Sequence, residues 1–161
     1  MNTTHRLITT RLEFQDALHE AFADMARTGC REAWLSDEDF AGWPLNAPAV
    51  IEHLTQWAQA HRKLTVVARH FDELVRRHPR WVQWRRTWSH IVACRTAEDA
   101  DAGDVPTMLL APGLVVVRLF DADHVRGSVS RDPADALRGR ELVDAVLQRS
   151  SEFFPSTIFG L

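Results

Sequence analysis

The run Leu64-Thr65-Val66-Val67-Ala68 constrains the fold more than any other stretch of the chain. An unbroken series of apolar and β-branched residues suits a strand buried on both faces, and such strands belong to sheets covered by helices on each side. The flanking sequence agrees. Val50, Leu54 and Trp57, with Ile51 and Ala58, recur at helical spacing and predict a helix over 48–60. Leu18, Ala21, Phe22 and Met25 predict an earlier helix over 12–28, closed by Gly29. Between these helices, Arg31 to Ser36 reads as a short strand with Ala33 and Leu35 inward, and Asp37 to Pro48 as a polar, turn-rich loop. Leu74, Val75, Trp81, Trp84 and Trp88 mark a third helical region over 71–88. Pro79 lacks a backbone donor and clashes with the preceding turn, so this region is kinked or is two helices. His90 to Cys94 is a third strand. The order strand, helix, strand, helix, strand with short links predicts right-handed crossovers and a parallel sheet.

Beyond Arg95 the pattern changes. Thr96 to Asp104 is acidic and alanine-rich, a solvated loop. Met108 to Ala111 and Leu114 to Phe120 are strand-like runs parted by the turn pair Pro112-Gly113. Asp121 to Asp123 is a second turn, and Val125 to Val129 returns as another strand. Asp132 as N-cap with Pro133 at the first helical position starts a terminal helix that Leu137, Leu142, Val146 and Leu147 carry to about Phe153. A chain of 161 residues is enough for one core and too short for two ordinary domains. The expectation is a single α/β domain over 1–161, a layered sandwich with a mixed, mostly parallel sheet and helices on both faces.

Net charge is −3, so no global positive field attracts nucleic acid or anionic lipid. Lys63 is the only lysine, beside eighteen arginines, which leaves a P-loop or Schiff-base site a single candidate. Cys30 and Cys94 are too few for a disulfide framework, and Cys94 in its apolar run reads as a small buried hydrophobe. The opening Met1-Asn2-Thr3-Thr4-His5-Arg6-Leu7-Ile8 lacks a signal peptide's apolar stretch, and no segment approaches the ~18 apolar residues of a membrane span. A reduced, cytoplasmic protein without membrane contact is expected.

The stretch Gly127-Ser128-Val129-Ser130-Arg131-Asp132-Pro133-Ala134-Asp135, followed by Glu141, resembles the second half of the phospholipase D superfamily signature, G-S-x-N-x-D-P-x-S with an acidic residue further on. Gly127, Ser128, Asp132, Pro133 and Glu141 match, while Ser130 stands for the Asn and Asp135 for a Ser. Upstream, Asp121 falls near the usual interval before the Gly-Ser. The resemblance implies a phospholipase D-like fold, and the single repeat implies a homodimer. The same alignment places Leu114 and Val116 where the H-x-K-x-x-x-x-D motif keeps its His and Lys. Hydrocarbon side chains can neither attack phosphorus nor hold phosphoryl oxygens. The resemblance therefore implies a degenerate domain without that activity, acting in binding or assembly. Trp81, Trp84 and Trp88, or Phe40 and Trp43 in the first long loop, would supply its dimer contact.

Two further readings come from the residues themselves. Ligands of parallel sheets sit beyond the carboxyl ends of the strands, which here carry Asp37 and Asp39, His70, and Arg95. These four could line a polar cleft for a small anion or an enzyme's phosphorylated substrate, with Ser128 of the Gly-Ser pair as a further ligand contact. Turn and cap hydrogen bonds account for the same residues more simply. No close ligand pair such as H-x-x-x-H occurs, and no metal or cofactor is implied. The segment 76–88 interleaves five arginines with three tryptophans, a composition that could hold phosphates and stack bases. The i, i+3, i+7 spacing of Trp81, Trp84 and Trp88 favours packing on one helical face instead. With acidic residues cancelling the charge, nucleic acid ranks below a homodimer as partner.

Overall fold

The computed structural model describes residues 5–154. Its strands are β1 (His5–Ile8), β2 (Glu32–Asp37), β3 (Lys63–Ala68), β4 (Val92–Thr96), β5 (Thr107–Ala111), β6 (Val115–Asp121), β7 (Arg126–Ser130) and β8 (Ser151–Phe153). Its helices are α1 (Arg11–Thr28), α2 (Pro48–Trp57), α3 (Asp72–Arg77), α4 (Pro79–Thr87) and α5 (Pro133–Leu147). The strands form one eight-stranded sheet in the order β1-β7-β6-β5-β2-β3-β4-β8.

Alternation along the strands divides the interior in two. Ala33, Leu35, Leu64, Val66, Val115 and Val117 point to a core shared with α1, α2 and α4. Their neighbours Trp34, Val67, Leu110 and Val116 point to the opposite side, where Val143 and Val146 of α5 and Ala97, Ala100 and Val105 of the long loop cover them. This is the period-2 geometry of a strand buried on both faces. Gly139 lets α5 lie close to the sheet, since a Cβ there would stand 2.8 Å from the Met108 sulfur.

Local signals place the helices. Thr10 caps α1 in a capping box with Glu13: the Glu13 amide donates to Thr10 Oγ1, and Glu13 Oε1 accepts from the Thr10 amide. Gly29, at φ +85°, ends it. Pro79 opens α4 after α3, so the kinked region is two helices. Asp132 accepts from the Ala134 amide and Pro133 opens α5, as the sequence predicts. Cys94 is buried, and burial pushes its thiol up to about 12.

The mostly parallel sheet is a correction. Among the described residues only β2–β3 and β3–β4 pair in parallel, while five pairings are antiparallel. The strand-helix-strand pattern requires parallel neighbours only where a helix crosses over. The hairpin β5–β6–β7 enters beside β2 in the opposite sense. Both sheet edges, β1 and β8, lie outside the predicted strands. They are short and largely exposed, so they carry little apolar pattern. β8 takes up residues expected to end the terminal helix, which stops at Leu147 instead. The third strand is displaced toward Thr96 from its expected span of His90 to Cys94. Among the described residues no helix is long and apolar enough to cross a membrane.

Gly127 of β7 pairs with Leu119 of β6. A Cβ there would fall 1.9 Å from the Arg118 carbonyl oxygen, which is backbone and cannot rotate aside. Gly127→Ala is expected to lower stability by about 1–3 kcal/mol, the range for overpacking a filled interior. Urea unfolding would check it, and an unchanged midpoint would contradict this close packing.

Candidate functional site

Two concave regions lie at opposite ends of the sheet. The first, about 1170 Å³, opens at the carboxyl ends of β2 and β6 and is lined by Arg11, Asp37, Asp39, Trp43 and Arg118, among others. Of the residues predicted to form a strand-end site, Asp37 and Asp39 line it; His70 and Arg95 do not. His70 is exposed, and its amide donates to the Glu38 carbonyl. Arg95 is turned toward the chain's end, where its guanidinium donates to Ser150 Oγ and the Ser150 carbonyl at 3.0 and 2.9 Å. Ser128, midway along β7 between Leu7 and Arg118, is half-buried and far from these four along the sheet.

Asp37 is a structural anchor. The Thr107 hydroxyl donates to its Oδ1, and the Phe40 amide donates to Oδ2 at 2.7 Å. Burial nevertheless raises its carboxyl above the usual 3.8, against the pull of these hydrogen bonds. The bonds hold Phe40 at φ +62°, a left-handed conformation rare for a bulky side chain. His78 Nε2 lies 2.8 Å from the Phe40 carbonyl, and the ring of Phe40 meets Trp43 edge-on at 4.8 Å. Six carboxylates (Asp37, Glu38, Asp39, Asp104, Asp121 and Asp123) line this cleft against the guanidiniums of Arg11, Arg77 and Arg118. Such a balance repels a polyanion. Among the described residues no group of three or more His, Cys, Asp or Glu is placed to hold a metal ion.

Of the signature-like residues of the terminal half, Asp121 lines this first cleft, whereas Leu114, Val116 and Ser130 lie toward the other end of the strands. Val116 is buried under α5, and Leu114 packs half-buried against the larger core. Neither faces a polar cavity. The Ser130 hydroxyl donates to Asp135, whose other contacts are His5 and Arg138. These hydrogen bonds, Ser130 first, lower the Asp135 carboxyl to about 2. The set ties β1, β7 and α5 together.

The second region, about 770 Å³, opens at the amino ends of β2, β3 and β4. Arg31, Arg62 and Lys63 line it with His61 and His90, against one carboxylate, Glu32. Glu32 and Lys63 are a loose pair at 3.9 Å. The carboxyl ends of α2 and α4 also reach this region through Ala58 and Trp88. A helix end works against an anion by roughly 0.3–1 kcal/mol. A phosphate 4 Å from one cation gains about 1–4 kcal/mol between bulk-water and near-surface dielectric. Arg62 Nε further neutralises α2 by donating to the Trp57 carbonyl at 2.9 Å. The cations therefore prevail.

Segment 76–88 is for the most part engaged within the fold, with Arg86 exposed beside Gln83. Trp81 and Trp84 are buried in the core, as their spacing predicts. Arg76 and Arg77 are held by Glu73, Arg80 by Asn46, and Arg85 lies 4.4 Å over the Phe154 ring. Only Trp88, half-buried, reaches the pocket. Phe40, Trp43, Trp81 and Trp84 cannot supply a dimer contact, a further correction, because the protein's own core encloses them. Arg31, His61, Arg62, Lys63 and His90 are absent from the residues predicted to bind a ligand. Their signal was available: basic residues stand just before the apolar runs at 33–35 and 64–68, and parallel pairing sets those starts side by side.

No protein-family model matches the chain, and no curated protein matches it. Among solved structures, 93% of the chain matches TrmBL2, an archaeal chromatin protein whose structure shows a novel mode of DNA binding, with TM-score 0.64 and 11% identity. The match covers 54% of that protein, so the chain spans about half its length. NucT from Helicobacter pylori matches 92% of the chain over 98% of its own, with TM-score 0.56 and 10% identity. These likenesses establish a shared α/β fold.

Removing the Asp37 side chain would leave the Thr107 hydroxyl and the Phe40 amide without their acceptor. Asp37→Ala is expected to cost about 1–3 kcal/mol per orphaned donor, and Asp37→Asn clearly less. Because the folded carboxyl titrates above the unfolded one, ionisation erodes wild-type stability as pH rises from about the usual value of 3.8 through the raised one. Asp37→Asn should thus gain on the wild type over that window and plateau above it. Thermal unfolding between pH 3 and 8 checks the sign, and a relative loss with rising pH would contradict it.

Proposed function

We propose that this chain is a non-catalytic phospholipase D-like domain that binds nucleic acid through the pocket at the amino ends of β2, β3 and β4. The observation that carries the reading is the charge division of the molecule. Among the described residues the cleft at the carboxyl ends is lined by twice as many carboxylates as guanidiniums, whereas the basal pocket sets Arg31, Arg62 and Lys63 against Glu32 alone. A chain of net charge −3 can hold a polyanion only where its cations are gathered.

Two observations support the rest of the proposal. The signature-like segment Gly127 to Asp135 and its companion residues Leu114 and Val116 fit a phospholipase D-like domain that has kept a scaffold without a nucleophile. The fold is shared with a chromatin protein whose structure shows a mode of DNA binding, which makes nucleic acid the first polyanion to test. A homodimer remains part of the proposal. It would bring two basal pockets onto one strand and raise the apparent affinity without any new contact.

Labelled oligonucleotides should bind the full chain at about 50 mM salt and lose affinity steeply toward about 200 mM. The double variant Arg31→Glu, Lys63→Glu should weaken binding at least tenfold while leaving thermal stability within about 1 kcal/mol, since both side chains are exposed. Fluorescence anisotropy checks this. Absence of binding at low salt, or equal binding by the double variant, would remove the proposal.

A further inference from the structure

We infer that the basal pocket receives an unpaired base, stacked on His90, with its flanking phosphates held by Arg31, Arg62 and Lys63. The inference rests on the basal pocket being the nucleic-acid contact and adds which form of nucleic acid it selects. Three neighbouring rings lead from the core to the surface, the inner pair tilted and the outer pair stacked. Trp84, 5% exposed, lies 6.5 Å from Trp88 at an interplanar angle of 32°. Trp88 in turn lies 5.8 Å from His90 at 29°, a stacked arrangement. The inner ring is fixed by the core, the middle ring is half-buried, and the outer imidazole is exposed. His90, exposed and lining the pocket beside Trp88, is the aromatic side chain on which a flat ligand would stack there. Every base has a flat face, and in a strand each base comes with its own phosphate.

The surroundings fit the rest of a nucleotide. Arg31 and Lys63 are exposed at the starts of adjacent strands, and Arg62 is half-buried beside them. Gln59 and His61 on the same rim can donate hydrogen bonds to a base edge or a sugar. A volume of about 770 Å³ suits one nucleotide with its neighbouring phosphates, within the roughly 300–1,000 Å³ of small-molecule sites. In a duplex the base faces are already stacked on one another, and a concave pocket with one exposed imidazole has nothing to add to them. The pocket therefore discriminates by strandedness. Stacking is sequence-tolerant, so DNA and RNA single strands share the chemistry.

Anisotropy with the full chain distinguishes the outcomes. The probes are labelled dT and rU strands of about 12 nucleotides and a blunt duplex of the same length. Single strands should bind about tenfold tighter than the duplex, and the DNA and RNA arms show which source the pocket favours. His90→Ala should lower single-strand affinity about tenfold and leave duplex affinity unchanged, while His90→Phe restores it. Equal affinity for single strand and duplex would overturn the inference while sparing the proposed function. So would a His90→Ala variant that binds single strands as the wild type does. Equal competition by poly-glutamate would also overturn it, by marking a site for any polyanion. No binding by any probe would remove both.

Discussion

The structure depends on one constraint: the central strands β5, β2 and β3 are buried on both faces. Alternate side chains of Ala33-Trp34-Leu35 and of Val115-Val116-Val117 serve different cores, one under α1, α2 and α4, the other under α5. Neither face can then offer a polar surface in the middle of the sheet. Chemistry is driven to the two ends of the strands, where the chain turns and side chains meet water. Val116, within β6, is interior, and a charged group there would have to be buried at considerable cost.

The two strand ends have then diverged in charge. At the carboxyl end the chain spends its polar groups on its own loops. Asp37 holds the Phe40 amide and the Thr107 hydroxyl, and Glu38 binds Arg69 at 2.8 Å. At the amino end the cations have few internal partners, because the strands begin directly from short links. The same topology that makes Asp37 an anchor leaves Lys63 and Arg31 as surface charge.

Much of the fold was legible in the sequence. The double burial of Leu64 to Ala68, the capped start at Asp132-Pro133, the break at Pro79 and the inward tryptophans all follow from local chemistry that tertiary packing did not overrule. The tight turns after Ala111 and Asp121 mark the terminal strands as a meander, which the structure shows, but the sense in which this half joins β2 was not legible. Periodicity is the same for parallel and antiparallel strands, and only the lack of a crossover helix after Thr107 tells them apart. Edge strands His5–Ile8 and Ser151–Phe153 were missed because an exposed strand has no apolar alternation to read. The candidate site was half legible. Asp37 and Asp39 do share a cleft, but Arg95 was drawn to Ser150 by the unforeseen strand β8. The basic residues before each apolar run look like ordinary solvated ends until parallel register gathers them.

The central claim is that polyanions meet this molecule at the amino ends of its parallel strands. The most direct measurement is an NMR titration of the labelled full chain with a short oligonucleotide. Shifts confined to the amides of Arg31, Arg62 and Lys63, with the indole of Trp88 and the ring of His90, are the predicted result. Shifts centred on Asp37, Asp39 and Thr107 at the opposite end would contradict it.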